Sequence, residues 1–254
     1  MTNVRIISRL DIKGENLIKG IQLEGLKVIG KPQEFSKKYY LQGIDELLYM
    51  DSVASLYGRN HLAEIIENTS KDIFIPLTVG GGIRSLEDVK AVLRIGADKV
   101  AINTGAIMNP DLISETSRVC GRQCVVISIE AKKNKSDGWE AYINGGRDHT
   151  GIDVVEWAIR ACKLGAGEIL LTSIDKDGTQ KGFDLDLIHA VTSRVDIPVI
   201  ASGGFGKIAD AINAVQVGGV GAVAIASALH YKKFDIKSIR GELSAAGIRT
   251  IEHE

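Results

Sequence analysis

Two stretches of this chain repeat each other, and that repeat limits the folds open to it. Residues 79–84 (VGGGIR) are followed by a small-residue segment at 96–104 (GADKVAINT). The same pair recurs as 201–206 (ASGGFG) and 218–227 (GGVGAVAIAS), about half of the 254-residue chain further on. A chain of two similar halves, each with a glycine turn and a small-residue turn, predicts a closed barrel with two similar anion sites.

Chain length and composition favour one large α/β domain, which we expect to span residues 1–254. Hydrophobic residues make up 44% of the chain and the formal net charge is −1, so nothing indicates a nucleic-acid or membrane surface. We expect no signal peptide and, with an odd cysteine count of 3, a cytoplasmic protein. The five histidines are scattered, so neither a metal site nor a cofactor is expected.

Short apolar runs alternate with longer amphipathic segments along the chain. The strands predicted from these runs are Val4–Leu10, Glu46–Met50, Ile75–Val79, Lys99–Ile102, Cys124–Ile129, Glu168–Ser173, Val199–Ser202 and Ala222–Ile225. The helices predicted between them include Pro32–Gln42, His61–Thr69, Ser85–Arg94, Asp111–Arg118, Val154–Leu164, Asp186–Ser193 and Ile208–Val217. Helix-ending glycines are expected at Gly43, Gly96, Gly165 and Gly218.

Eight such units predict a (β/α)8 TIM barrel built from two similar half-barrels. Apolar strands without alternation are typical of a parallel sheet covered by helices on its outer face. A doubly wound open sheet is the alternative. The barrel is favoured because the repeat has no reversal point, and because no Gly-x-Gly-x-x-Gly turn follows the first strand.

Two inserts interrupt the pattern, and both follow strands whose carboxyl ends would lie at the active face of a barrel. Residues 14–30 are too long for a simple turn and are interpreted as a mobile loop over the site. Residues 132–150 contain an Asn-Gly pair at Asn144-Gly145, which predicts a small hairpin.

Two carboxylates are placed equivalently in the two halves. Asp11 ends the first strand and Glu130 ends the fifth, at nearly the spacing of the glycine turns. First and fifth strands lie opposite each other in an eight-stranded barrel, so the two acids would face each other across its mouth. That arrangement suits a general acid and a general base. The alternative is that each acid pairs with a neighbouring lysine; the repeat makes catalysis the favoured interpretation.

The glycine turns predict two phosphate sites. Glycine lets the backbone approach an anion, and a following helix N-terminus favours negative charge. One site would be built by Gly81, Gly82, Asn103 and Thr104, the other by Gly203, Gly204, Ala226 and Ser227. The alternative is tight turns without a ligand, but two related copies favour a substrate with a phosphate at each end.

Other polar residues near strand ends are expected beside the site. Asp177 and Gly178 follow the sixth strand, and Thr172 and Ser202 are small polar groups near strand ends, although such residues also serve as helix caps. A second charged set comes at the starts of strands: Arg5, Glu46, Lys99 and Glu168. The residues alone favour ordinary salt bridges at the barrel rim for this set.

Taken together, these residues resemble the HisA/HisF family of half-repeat barrels, and within it the cyclase branch. The resemblance runs essentially end to end. The segments that carry it are 10–13 (LDIK), 17–20 (LIKG), 43–47 (GIDEL), 78–83 (TVGGGI), 96–100 (GADKV), 165–175 (GAGEILLTSID), 177–179 (DGT) and 200–204 (IASGG).

The resemblance implies a reaction in histidine biosynthesis. A HisH-type glutaminase partner would supply ammonia through the barrel. The ammonia would attack the ketone of a bis-phosphorylated aminoimidazole carboxamide ribonucleotide, giving imidazole glycerol phosphate and AICAR. It implies acid–base work for Asp11 and Glu130 and substrate contact for Lys19. It also implies an ammonia gate at Arg5, Glu46, Lys99 and Glu168, and a glutaminase interface that includes Asp98.

Three positions depart from the family pattern, all on the upper face. The family has Asp where this chain has Glu130, and usually Cys where it has Arg9. Residues 27–32 read KVIGKP where Arg-Asp-x-Gly-Asp-Pro is more usual. Because one methylene shifts a carboxylate by roughly 1 Å, turnover could fall about a hundredfold. A second interpretation is therefore a family member that binds a glutaminase and conducts ammonia to another amidotransferase, for example one acting on a surface sugar. A third is a barrel without a partner.

Overall fold

A computed structural model describes residues 3–52 and 62–253 of the chain. Within them, eight parallel strands close into a barrel, with helices between successive strands. The barrel strands are β1 (Arg5–Lys13), β4 (Glu46–Asp51), β5 (Leu77–Gly80), β6 (Lys99–Ile102), β7 (Val125–Lys133), β10 (Glu168–Ser173), β11 (Val199–Ser202) and β12 (Ala222–Ile225). The barrel is closed because its first strand, β1, pairs in parallel with its last strand, β12, as well as with β4. The predicted (β/α)8 fold is confirmed.

The barrel strands are buried on both faces, which explains their unbroken apolar sequences. Outward-facing side chains such as Ile6 and Leu47 pack under the helices in one large core. Inward-facing side chains form a separate apolar cluster inside the barrel: Ile7, Leu48, Met50, Ala101, Val126, Leu170, Ile200, Ala222 and Ala224. Neighbouring residues of one strand thus belong to different cores, as the pleat of a strand requires.

The helices follow the predicted pattern. They are α1 (Pro32–Leu41), α2 (Leu62–Asp72), α3 (Leu86–Arg94), α4 (Thr104–Met108), α5 (Asp111–Cys120), α6 (Val154–Leu164), α7 (Leu185–Thr192), α8 (Ile208–Gln216), α9 (Ser227–His230) and α10 (Ile236–Ala245). The predicted start of the second helix at His61 lies outside the described residues. Ser85 caps α3 rather than starting it, in a reciprocal pair with Asp88.

Three of the four predicted helix-ending glycines have the left-handed backbone that the role requires. Gly43, Gly96 and Gly165 have φ of +78°, +116° and +106°. The prediction for Gly218 is wrong, because the positive φ of +75° falls on Gly219. A Cβ on Gly218 would lie 2.6 Å from Ile188 and from the carbonyl oxygen of Ala214, so close packing requires glycine at position 218.

Both inserts are β-hairpins, one in each half of the barrel. Residues 14–30, predicted as a loop, form β2 (Asn16–Ile21) and β3 (Glu24–Gly30), with β2 antiparallel to the end of β1. The loop prediction is corrected because the upper part of β1 offers a free edge for this pairing. The predicted hairpin of the second insert is confirmed as β8 (Trp139–Ile143) and β9 (Asp148–Asp153), with β8 antiparallel to β7.

No helix within the described part of the chain is long and apolar enough to cross a lipid bilayer.

Candidate functional site

A cleft of about 810 Å³, counting its open mouth, lies at the carboxyl ends of the barrel strands. Its walls bring together many of the residues singled out from the sequence: Asp11, Lys19, Gly81, Gly82, Asn103, Thr104, Glu130 and Asp177. A smaller pocket beside it is lined by Gly178, Ser202, Gly203, Gly204, Ala226 and Ser227. Arg9 and Asp177 line both spaces, so the two pockets meet at these residues.

The first glycine turn follows β5 at the rim of the cleft. Gly81 and Gly82 have φ of +101° and +71°, and a Cβ on Gly81 would lie 2.4 Å from the carbonyl oxygen of Asp51. Both a left-handed backbone and a close approach therefore require glycine at Gly81. Glycine here leaves the backbone open to a ligand in the cleft.

The small-residue turn beside it holds the second hairpin in place. The side-chain amide of Asn103 donates to the carbonyl oxygen of Tyr142 at 3.1 Å. The hydroxyl of Thr104 accepts from the backbone N–H of Asn144 at 3.1 Å and keeps its own hydrogen for donation. Of the two side chains expected at this phosphate site, Thr104 keeps its hydroxyl hydrogen for donation, and Asn103 uses one of its two amide N–H groups to hold the hairpin.

The second glycine turn follows β11 and is packed more tightly. Gly203 and Gly204 have φ of +88° and +115°. A Cβ on Gly204 would lie 2.1 Å from the carbonyl oxygen of Gly182, and one on Gly203 would lie 2.7 Å from that of Ser173. The short helix α9 begins next to this turn, with Ala226 as its N-cap residue and Ser227 as its first residue.

Four charged side chains form a buried network between the two pockets. Asp11 accepts on Oδ1 from Arg9 Nε at 2.8 Å and on Oδ2 from Lys19 Nζ at 3.1 Å. Lys19 also donates to Asp177, at 3.0 and 3.1 Å from its two carboxylate oxygens. Lys19 was expected to act from a mobile loop. Instead it lies on β2 and is only 4% exposed.

Arg9 is held from its far side by two hydroxyl groups. Its Nη1 donates to Thr172 Oγ1 at 3.0 Å and to Ser202 Oγ at 3.1 Å. Small Ala224, on the strand between β1 and β11, lines the pocket beside the guanidinium. Thr172, predicted to contact substrate, is fully buried and accepts this bond from Arg9.

The charges in this network stabilise one another. Burial alone would raise the pKa of the Asp11 carboxyl, but Arg9 and Lys19 hold that pKa well below its ordinary value. Burial opposes the charge on Arg9, yet Asp11, Asp177 and Glu130 raise the pKa of its guanidinium. Burial likewise opposes the charge on Lys19, whose pKa is raised by Asp11 and Asp177. All three groups therefore stay charged at neutral pH.

Glu130 has a different environment on the opposite strand of the barrel. It is 7% exposed, and its Oε2 has no hydrogen-bond partner among the described residues. Burial raises the pKa of Glu130 from 4.5 to about 7, against the lowering effect of Arg9. This carboxyl can therefore both release and accept a proton near neutral pH.

Three residues that sequence reasoning did not single out also belong to this region. Arg84 and Arg147 line the larger cleft. The Nδ1 atom of His230 lies 2.7 Å from the hydroxyl oxygen of Tyr39, and its Nε2–H donates to the carbonyl oxygen of Arg9 at 3.1 Å. The available signal is that each arginine closely follows a glycine pair, Gly81-Gly82 before Arg84 and Gly145-Gly146 before Arg147. Nothing local marks His230.

The second charged set lies at the opposite end of the barrel, where the strands begin. Glu46 accepts from Arg5 at 2.7 Å and from Lys99 at 3.0 Å, while Glu168 accepts from Lys99 at 3.1 Å and also pairs with Arg5. Each of the four lies two residues before an inward-facing apolar residue, so all four face the barrel interior. They form a closed ring of alternating charge rather than separate rim pairs.

Asp98 lies at the same end of the barrel, directly before β6. It is exposed, and its carboxylate accepts from the backbone N–H of Leu77 at 2.8 Å. The structure thus separates the predicted residues into an upper face with two pockets and a lower face with the charged ring and Asp98.

Comparison with known proteins identifies the family. The family model described as "Histidine biosynthesis protein" matches residues 5–235. The chain belongs to this histidine biosynthesis protein family. The match spans the whole barrel from β1 to β12 and ends shortly before α10.

Individual members of the histidine biosynthesis family are similar over most of their length. A Legionella pneumophila protein is 63% identical over 208 residues, covering 82% of this chain and 98% of that protein. Proteins from Lactococcus lactis subsp. cremoris and Dehalococcoides mccartyi are 50% and 46% identical, covering 96% and 98% of this chain and 94% and 98% of their own length. All three are named imidazole glycerol phosphate synthase subunit HisF.

Proposed function

We propose that the chain is the cyclase subunit of an imidazole glycerol phosphate synthase. The observation that carries the proposal is the pair of glycine-lined pockets that meet at a buried charged network. Such a site fits one substrate with a phosphate at each end and its reacting centre between them. The names of the relatives support the same reaction.

The two phosphates would bind at the two glycine turns. In the larger cleft, backbone N–H groups near Gly81 and Gly82, the Thr104 hydroxyl, and the cations Arg84 and Arg147 favour an anion. In the smaller pocket, Gly203, Gly204 and the N-terminus of α9 surround the space beside Arg9. The two pockets differ in volume, about 810 and 270 Å³, so the substrate would bind in one direction.

The reacting ketone would lie between the pockets, beside Asp11 and Glu130. Ammonia would add to the ketone carbon of the bis-phosphorylated aminoimidazole carboxamide ribonucleotide. Cleavage and ring closure would then give imidazole glycerol phosphate and AICAR. These steps require proton transfers, for which buried carboxyls at the middle of the site are suitable groups.

Ammonia would reach this centre through the barrel from a glutaminase on the lower face. The ring of Arg5, Glu46, Lys99 and Glu168 would act as the gate. Above it lies the inward-facing apolar cluster, which favours neutral ammonia over ammonium because an unpaired ion there would be poorly solvated. Exposed Asp98 would contribute to the glutaminase interface.

The test is turnover of the bis-phosphorylated substrate by the purified chain with an ammonium salt in place of glutaminase. We expect imidazole glycerol phosphate to form, as measured by chromatography. We also expect inorganic phosphate to compete with the substrate. A chain that binds the substrate but releases no product under these conditions would contradict the proposal.

A second candidate function is conduction of ammonia to a different amidotransferase. The observation that favours it is Arg9, which is buried at the centre of the site and occupies one oxygen of Asp11. This function predicts that the chain binds a glutaminase and stimulates glutamine hydrolysis, yet forms no product even when Arg9→Cys and Glu130→Asp are combined. Product formation by the unmodified chain would reject it.

A further inference from the structure

We propose that Arg9 is the charged group that binds an anion in the smaller pocket. The proposal rests on the proposed cyclase function, because that anion would be one of the two phosphates of the substrate. It assigns a ligand-binding role to a residue outside the family pattern, since the family usually has Cys where this chain has Arg9.

The guanidinium of Arg9 keeps donors that the protein does not use. A guanidinium has five N–H groups. Nε donates to Asp11 at 2.8 Å, and Nη1 donates to Thr172 at 3.0 Å and to Ser202 at 3.1 Å. Nη2 makes no hydrogen bond within the described part of the chain, and it is not sealed off from the pockets that Arg9 lines. Its two N–H groups are therefore left for a ligand.

The charges around the smaller pocket make Arg9 decisive there. It is the only cation among the described residues that line this pocket. The other charged residue of the lining is Asp177, whose carboxylate would repel a phosphate. Lys19, which neutralises Asp177, lines the larger cleft, as do the cations Arg84 and Arg147. Without Arg9, the smaller pocket would offer an anion only uncharged donors.

The neighbouring strands leave room for both the guanidinium and a ligand. β12 lies between β1 and β11, and it contributes only the small side chain of Ala224 to the pocket wall. Arg9 therefore reaches across β12 to Ser202 on β11. The Ser202 hydroxyl accepts from Nη1 and so keeps its own hydrogen, which it can donate to a phosphate oxygen in the pocket that it lines.

The contacts of Arg9 also fix its orientation before a ligand binds. Asp11 holds Nε, and the two hydroxyls of Thr172 and Ser202 hold Nη1, in a side chain that is only 5% exposed. Asp11, Asp177 and Glu130 raise the pKa of the guanidinium, so it stays charged at neutral pH. A charged donor that is already in place gives up little conformational entropy when an anion binds.

The competing role for Arg9 is that of a counter-charge for Asp11 alone. Lys19 already donates to the second oxygen of Asp11, at 3.1 Å. The two roles predict different results for a ligand. A counter-charge would affect stability, whereas an anion-binding residue would affect binding at one glycine turn and not at the other.

Backbone amide NMR can follow the two pockets separately, because each glycine turn gives its own signals. Gly203 and Gly204 report the smaller pocket, and Gly81 and Gly82 the larger cleft. In the wild type we expect inorganic phosphate to shift both pairs. In Arg9→Gln the Kd measured at Gly203 and Gly204 should rise roughly 10- to 100-fold. The Kd at Gly81 and Gly82 should rise less than about threefold, because the larger cleft has other cations.

Arg147→Gln is the matched control. It removes a cation from the larger cleft only, so it should weaken phosphate binding at Gly81 and Gly82 and leave binding at Gly203 and Gly204 unchanged. Arg9→Lys should give an intermediate Kd at Gly203 and Gly204, because it keeps the charge and loses the planar fork of donors.

A measurement on the wild type covers the case in which Arg9→Gln does not fold. The guanidinium ¹⁵N signals of Arg9 should shift with added phosphate at the same midpoint as the amides of Gly203 and Gly204. An Arg9 that serves only as the counter-charge of Asp11 would show no such shift.

Three results would overturn the proposal. One is a Kd at Gly203 and Gly204 that is the same in the wild type and in Arg9→Gln. Another is guanidinium signals that do not respond while those two amides do, and the third is wild-type binding at Gly81 and Gly82 alone. Selective loss in Arg9→Gln without turnover of the bis-phosphorylated substrate would reject the cyclase function and still support Arg9 as the anion-binding residue.

Discussion

Two buried titratable groups, Glu130 and His230, make the stability of this protein depend on pH in opposite directions. Burial raises the pKa of Glu130 to about 7, so the folded state binds more protons than the unfolded state between pH about 4.5 and 7. Its contribution to stability therefore falls as pH rises through that range. Burial lowers the pKa of His230 from 6.5 to about 4, so its contribution falls as pH decreases from 6.5 to 4.

The His230 effect can be measured by chemical denaturation of a His230→Gln variant. In the wild type we expect this histidine to remove about 3 kcal/mol of the free energy of unfolding between pH 6.5 and 4. The cause is that a charged imidazole between Tyr39 and the Arg9 carbonyl is poorly solvated. The variant should show a shallower loss over this range. Exposed His189 provides the control, and a His189→Gln slope that flattens equally would contradict the assignment.

The glycine turns shape the two pockets. The more tightly packed turn, which follows β11, allows a test of whether close packing requires glycine there. In Gly204→Ala the added Cβ would meet the Gly182 carbonyl oxygen at 2.1 Å, at a backbone φ of +115°. We expect a loss of about 3 kcal/mol or more in the free energy of unfolding, together with weaker phosphate binding.

Gly25→Ala is the matched control for this substitution. Gly25 also has a left-handed φ, of +62°, but nothing lies within 4 Å of its Cβ position. It should lose only about 1–2 kcal/mol, the cost of the backbone conformation itself. Equal losses at Gly25 and Gly204 would show that close packing against Gly182 is not what requires glycine.

The half-repeat includes the two hairpins, although their amino-acid sequences are not similar. One hairpin supplies Lys19 to the centre of the site, and the other supplies Arg147 to the rim of the cleft. Both are antiparallel extensions of the first strand of their half. Only the second carries an Asn-Gly turn, so only the second was predicted from its residues.

For the molecule as a whole, the charged ring links four strands at the lower end of the barrel. Glu46 is 1% exposed and accepts from Arg5, Lys99 and Thr78, so Glu46→Gln removes the charge shared by two cations. We expect a loss of about 3 kcal/mol in the free energy of unfolding. The exposed pair Lys31–Glu15 is the control, and Glu15→Gln should change stability by less than about 1 kcal/mol. A Glu46→Gln loss no larger than the control would contradict a structural role for the ring.

Much of the site could be predicted because its signals are local. Glycines that need a positive φ come as adjacent pairs, Gly81-Gly82 in one half and Gly203-Gly204 in the other. Other roles depend on long-range contacts. Thr172 binds Arg9 across the interior of the barrel, and Gly218 is set by packing against Ile188 rather than by a helix end. No sequence window contains both partners of such contacts.

By itself the sequence determined the barrel, its two-fold internal repeat, the two glycine-lined pockets and the family. These follow from the period of apolar residues and from backbone conformations that only certain residues adopt. Tertiary structure alone decided that two acids at equivalent positions have unlike surroundings. The charge state of a buried carboxyl depends on which cations fold against it, and Arg9 and Lys19 both fold against Asp11 while Glu130 keeps a free oxygen.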